Sequence, residues 1–144
     1  MADRIRIDAV DHICVVVSDI ESAVKRVKEI LDVPAFTVEE YTSTARIKNK
    51  ELGQYRYAMA MIRLASNLTL EFVQLTGGKS VERNWLKQHG ETMHHFAIQV
   101  DDMEKEAKKW ENMGVEILQE DHGKWIYLNT EHVLGFNIEL LPST

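Results

Sequence analysis

The 144-residue sequence is poor in the residues that staple, punctuate or anchor a chain. It has one cysteine, Cys14, so no disulfide can form within it, which excludes a disulfide scaffold and suits a reducing compartment. Two prolines and seven glycines are too few for a low-complexity or collagenous chain. No run approaches the roughly 18 apolar residues of a membrane span. The opening Met1–Asp8 has no apolar core of the kind a secretory signal carries, so the expected location is the cytoplasm, away from membranes. Positive charge is also short: 17 Lys and Arg stand against 23 Asp and Glu, a net charge of −6. Nucleic-acid binding, which rests on a basic surface facing phosphates, is therefore not expected.

What the sequence has is an ordinary globular balance, 44% hydrophobic and 28% charged, and an internal repeat. The stretch His12–Ile30 aligns without a gap on His95–Met113, pairing His12 with His95, Val17 with Val100, Asp19 with Asp102 and Glu21 with Glu104. Each copy opens with an alternating segment that reads as a strand, Ile13/Val15/Val17 in one and Phe96/Ile98/Val100 in the other. A helix follows, with Ser18 and Glu21 at capping-box spacing in the first copy and Asp101 or Asp102 with Glu104 in the second. Ile20, Val24, Val27 and Leu31 supply one helical core stripe; Met103, Ala107 and Trp110 supply the other.

Three more strands complete each half. They are expected at 35–38, 57–64 and 68–75, with a Ser66-Asn67 turn, and at 115–119, 124–128 and 136–141. The sequence thus predicts an α+β fold of two βαβββ modules enclosing a concave cleft, in a single domain covering 1–144. Module one spans about 7–76, a linker helix lies within about 77–90, and module two spans about 91–142. Glu40–Gln54 has no counterpart in the second half and is expected as an inserted surface loop or a lid. Its Arg46, Lys48 and Lys50, with Arg56 after it, form either a solvated charged loop or a contact for ligand phosphates.

Strand alternation then sorts candidate site residues by face. With Ile13, Val15 and Val17 toward the helix, His12 points the other way; the same logic sends His95 inward and His94 outward. Glu71, between Leu70 and Phe72, and Glu139, between Ile138 and Leu140, also fall on the inward face. A lone strand histidine is usually a core or surface residue, and a lone glutamate a strand-end one. Two histidines at equivalent repeat positions, with a glutamate late in each half, share one explanation. Isolated acids there would cost several kcal/mol to bury, at order of magnitude, and a divalent cation partners all four side chains. The donor set suits six-coordinate Co, Ni, Mn, Fe or Zn completed by water, and without thiolates it is not a closed structural zinc site. Cys14 shares the inward face but reads as packing; His89, His122 and His132 read as surface residues.

The segments Val10–Ile13, Leu70–Val73, Gly90–Ala97 and Asn137–Leu140 resemble the vicinal-oxygen-chelate superfamily. It includes glyoxalase I, methylmalonyl-CoA epimerases, extradiol dioxygenases and fosfomycin or bleomycin resistance proteins. The resemblance spans about Ile7 to Leu141 and is greatest to the methylmalonyl-CoA epimerases. It implies the glyoxalase/bleomycin resistance/dioxygenase fold, a homodimer, and His12, Glu71, His95 and Glu139 as metal ligands. The implied activity is metal-assisted proton transfer next to a carbonyl on a small molecule such as an acyl-CoA thioester. Glu139 is the expected base and Glu71 the second candidate. The alternatives are a glyoxalase-like lyase acting on a hemithioacetal and a binding or resistance protein without turnover. A ring-cleaving dioxygenase fits less well, because Glu71 would crowd the open coordination side. The epimerase pattern also implies a further, metal-free glutamate on the third strand. The matching stretch Tyr57–Arg63 has no acid, and Glu39, Glu40 and Glu51 lie outside it.

Overall fold

Residues 4–48 and 50–143 are described by the computed structural model. Two-residue alternation gives way to helical spacing and back again twice along the chain. The elements run β1 (His12–Val16), α1 (Ile20–Ile30), β2 (Val38–Ile47), β3 (Lys50–Ala65), β4 (Leu68–Gly77) and α2 (Val81–His89). They continue with β5 (Met93–Val100), α3 (Met103–Asn112), β6 (Ile117–Asp121), β7 (Trp125–Leu128), α4 (Glu131–Leu134) and β8 (Asn137–Pro142). Both long repeat helices start at an aspartate: Asp19 accepts from the Ser22 amide and Asp102 from the Lys105 amide. The first cap is therefore Asp19 rather than Ser18, whose hydroxyl instead donates to Glu91.

The strands close into one barrel in the order β1-β4-β3-β2-β6-β7-β8-β5. The repeat shows in this order, since the first strand of each half pairs in parallel with its last, β1 with β4 and β5 with β8. The halves join through antiparallel β1–β5, from His12↔Ala97 to Val15↔Met93, and through β2–β6, which among the described residues registers Arg46↔Glu120. Each repeat helix covers its own half. Ile20 and Val24 of α1 pack on Ala58, Ala60 and Ile62; Met103, Ala107 and Trp110 of α3 pack on Ile126, Leu128, Ile138 and Leu140. Leu31, expected in the first stripe, is 46% exposed because α1 ends at Ile30 and the chain leaves in extended conformation. Among the described residues no helix is long and apolar enough to cross a membrane.

The structure corrects the reading of Glu40–Gln54 as an inserted loop or lid. Residues 38–47 and 50–65 form a long hairpin, so the second strand begins where 35–38 was expected to end. The alternation is present but masked, because the inward positions Ser43 and Ala45 are small rather than large and apolar. They are buried against the neighbouring interior aromatics, Ser43 in register with Tyr55. Glu51 consequently belongs to the third strand, yet it is exposed near the hairpin turn; Glu39, also exposed, lies at the opposite end of the hairpin and accepts from Thr37. The short α4 was not expected from sequence.

Gly77-Gly78 connects β4 to α2. A Cβ on Gly78, whose φ is +81°, would stand 2.7 Å from the Gln54 carbonyl oxygen and the Tyr55 Cα. Gly78→Ala is expected to lower unfolding free energy by about 2 kcal/mol or more in chemical denaturation. An unchanged midpoint and slope would show that the connection relaxes freely.

Candidate metal centre

Register alone explains how four distant residues meet. Across the central strands, His12, Ala97 and Glu139 form one row on β1, β5 and β8, while Glu71, Cys14 and His95 form the next on β4, β1 and β5. The middle of each row is small, Cys14 or Ala97, both fully buried, so the larger side chains on either side can lean over it. His12 Nε2 lies 3.4 Å from both Glu71 Oε1 and Glu139 Oε1. His95 Nε2 lies 3.6 Å from Glu71 Oε1 and 3.3 Å from Glu139 Oε1. The structure thus brings all four expected residues together, each with less than a tenth of its surface exposed.

These separations are long for hydrogen bonds, which centre near 2.9 Å. Both Nε2 atoms are buried without a hydrogen-bond partner. Two donors each about 2.1 Å from a shared cation would stand about 3.0 Å apart at a right angle and about 3.4 Å apart at the tetrahedral angle. Orphaned ring nitrogens facing two buried carboxylate oxygens at this spacing fit a divalent ion. The ligand atoms of His12, His95 and Glu139 all lie within 4.8 Å of one another, as do those of Cys14, Glu71 and His95. Burial, with Glu71 beside it, pushes the Cys14 thiol well above its ordinary range, so the sulfur is a neutral neighbour of the quartet.

The remote ring nitrogens are also engaged. His12 Nδ1–H donates to Asp11 Oδ2 at 2.8 Å, and Asp11 Oδ1 accepts from Gln99 Nε2 at 2.9 Å. His95 Nδ1 meets His94 Nδ1 at 2.7 Å; donation from His95 to His94 leaves a lone pair on His95 Nε2. Burial, reinforced by His95, depresses His94 well below the ordinary histidine range, consistent with a neutral acceptor. His94 was assigned outward by alternation, yet it is fully buried, edge-on to Trp85 of α2 and beside Tyr127. Sequence reasoning missed both supporting groups. Their signal was available, because Asp11 and His94 occupy equivalent repeat positions immediately before the two histidines. Of the other histidines, His122 and His132 are exposed, while His89 pairs with Glu131 at 2.8 Å and lies against Trp85.

The quartet borders a cavity of about 40 Å³ lined by Tyr55, Tyr57, Glu71, Val73, Glu82, Trp125, Tyr127 and Glu139. The space takes a few water-sized groups and no more. Its walls are aromatic: Trp125 and Tyr127 lie 4.5 Å apart, and Tyr127 is tilted over His95 at 5.0 Å.

The family profile described as the glyoxalase/bleomycin resistance protein/dioxygenase superfamily matches residues 11–126. Among solved structures, methylmalonyl-CoA epimerase from Mycobacterium tuberculosis is similar at 15% identity and TM-score 0.65, covering 100% of this chain and 93% of that one. A Streptomyces coelicolor methylmalonyl-CoA epimerase variant in complex with 2-nitronate-propionyl-CoA is similar at 22% identity and TM-score 0.67, covering 96% of both chains. A hypothetical protein from Bacillus halodurans C-125 is similar at 18% identity and TM-score 0.64, covering 94% of both. At these identities the likeness is one of fold. No curated protein matches the chain at a significant level.

Charge balance makes the centre sensitive to pH. Burial disfavours a charged imidazole, but Glu139 and Glu71 outweigh it, raising His12 to about 11 and His95 to about 9. Burial likewise opposes the Glu71 carboxylate, and His12 and His95 outweigh that to hold it well below its usual range. Histidines raised above the unfolded value of about 6.5 contribute stability that is complete below that pH and lost as pH rises through 9 toward 11. In chelator, the melting temperature is therefore expected to fall between pH 6.5 and 10. Added Zn²⁺ or Mn²⁺ is expected to raise it by a margin that grows with pH, because binding displaces the imidazole protons. Melting curves that coincide with and without metal at every pH would show that the quartet holds no ion.

Proposed function

The chain belongs to the glyoxalase/bleomycin resistance protein/dioxygenase superfamily, and from that premise we propose that it catalyses metal-dependent proton transfer next to a carbonyl, as an epimerase or isomerase of a short acyl thioester. The observation that carries this reading is the pair of orphaned, buried histidine nitrogens facing Glu71 and Glu139 beside a small cavity. In this reading His12, Glu71, His95 and Glu139 hold a divalent cation, with Asp11 and His94 fixing the two imidazole rings. A bound divalent cation polarises a carbonyl and offsets the negative charge that develops when the adjacent C–H ionises.

The protein's own side chains do the rest. Glu139 lines the cavity and is the group we assign to take the proton from the α-carbon; Glu71, on the opposite row, is the alternative. The aromatic walls exclude bulk water, which strengthens every charge interaction inside. At about 40 Å³ the cavity cannot hold a thioester carrier, which in this reading stays outside it. In this reading the carrier enters at the β2–β6 seam, where the described residues register Arg46↔Glu120. Arg46, Lys48 and Lys50 lie at that end of the hairpin and suit carrier phosphates, whereas Arg56 lies against Gly77 on the β4 side. The thioester class is supported by the neighbours of the same fold that are complexed with methylmalonyl-CoA and 2-nitronate-propionyl-CoA.

The test is deuterium uptake from heavy water at the α-carbon of methylmalonyl-CoA and of a hemithioacetal, with protein loaded with Zn²⁺, Mn²⁺ or Co²⁺. Uptake into the acyl-CoA is expected, and Glu139→Gln is expected to slow it by about 10²–10⁴-fold, with metal content measured alongside. Uptake confined to the hemithioacetal would make the protein a glyoxalase-like lyase. Stoichiometric ligand binding without uptake into either would make it a binding protein.

A further inference from the structure

Two buried carboxylates among the described residues, Glu82 and Asp121, stand outside the metal quartet, and Glu82 is the one that lines its cavity. Glu82, in the first turn of α2, is 3% exposed and lines the cavity together with Glu71 and Glu139. It belongs to neither group of converging ligand atoms among the described residues. The Tyr127 hydroxyl donates to its Oε1 at 2.8 Å, and the Ser80 hydroxyl donates to its Oε2. Gln119 holds Ser80 in turn, donating from Nε2 to the Ser80 oxygen at 2.8 Å while its Oε1 accepts from the Val81 amide at 3.0 Å.

A structural tie between helix and barrel could be built from neutral groups without the cost of burying a charge. A neutral amide at this position would keep one acceptor oxygen and turn the other terminal atom into a donor. The carboxyl is instead aimed at from two sides by hydroxyl groups, which steady its charged form, while burial raises it above the ordinary glutamate range. Burial thereby favours the proton-bearing form relative to an exposed glutamate. Glu139 enters the cavity from the β8 wall, whereas Glu82 enters from a helix outside the strand ladder. Tyr127 connects them, being the register partner of Glu139 and the hydrogen-bond partner of Glu82.

We propose that Glu82 is the second acid–base group of the reaction, the metal-free partner to Glu139 that delivers a proton to, or takes one from, the opposite face of the α-carbon. This rests on the proton-transfer reading above. In one direction, the α C–H bond breaks and its proton passes to the Glu139 carboxylate, while the bonding electrons move into the carbonyl as an enolate. The Glu82 O–H bond then breaks, and its proton bonds to the α-carbon from the other side. The inverted product leaves with Glu82 ionised and Glu139 protonated; the reverse direction starts from that state, and exchange with water resets it. Tyr127 and Ser80 are positioning residues for the Glu82 carboxyl.

The experiment separates exchange from inversion. A single epimer of methylmalonyl-CoA in heavy water is incubated with metal-loaded wild type, Glu82→Gln and Glu82→Asp. The wild type is expected to exchange and invert. Glu82→Gln is expected to keep washing the α-proton out with retention, since Glu139 is intact, while inversion falls at least about 100-fold. Glu82→Asp, which keeps an acid, is expected to recover part of the inversion, and all three proteins should bind the same amount of Zn²⁺. A Glu82→Gln protein in which both rates fall together, or in which inversion survives, overturns the assignment, as does loss of Zn²⁺ from it. A wild type that exchanges nothing overturns the proton-transfer reading itself, and this role for Glu82 with it.

Discussion

Two carboxylates and two imidazoles, buried with each His Nε2–Glu Oε1 separation at 3.6 Å or less, are the constraint that organises this protein. Unpaired, such groups would be expelled into water or would unfold the chain. Brought together they neutralise one another, either by protons on the histidines or by a divalent ion in their place. The same arrangement therefore answers a stability problem and creates a reactive one. The protein must hold charge in a place largely closed to water, beside a small cavity lined by both carboxylates.

The two neutral states pull oppositely with pH. Imidazolium–carboxylate pairing favours the folded chain at lower pH, whereas ligation needs the imidazoles free of protons. Asp11 and His94 do for the two histidines what the repeat predicts, each holding the remote nitrogen of the residue that follows. They do it with different chemistry. Asp11 is a partly exposed carboxylate shared with Gln99, and His94 is a fully buried imidazole packed on Trp85 and Tyr127. A duplicated scaffold has acquired an asymmetric surround, with the more enclosed side lying toward α2, Tyr127 and Glu82.

That enclosure shapes any reaction. The cavity is small because Tyr55, Tyr57, Trp125 and Tyr127 fill the barrel beside the quartet. The helix that links the halves, which in a simple duplication would serve only as a connector, carries Glu82 into that space through the tight Gly78 turn. Connector and cavity are mechanically one piece, held by Ser80, Gln119 and Tyr127.

Much of this was legible from residue order. The repeat at constant register predicts two equivalent strand–helix starts, and alternation within β1, β4, β5 and β8 puts His12, Glu71, His95 and Glu139 on one face, because side-chain direction in a strand is a local property with period two. What alternation cannot supply is which strands are neighbours. Only the closed order β4-β1-β5-β8 turns four inward side chains into one cluster over Cys14 and Ala97. The polar β2–β3 hairpin was hidden, since its inward positions are small and owe their burial to aromatics from other strands. Glu82 was hidden because a residue on a helix joins a site only when that helix folds over it, and His94 because the β1–β5 register shift beside it breaks strict alternation.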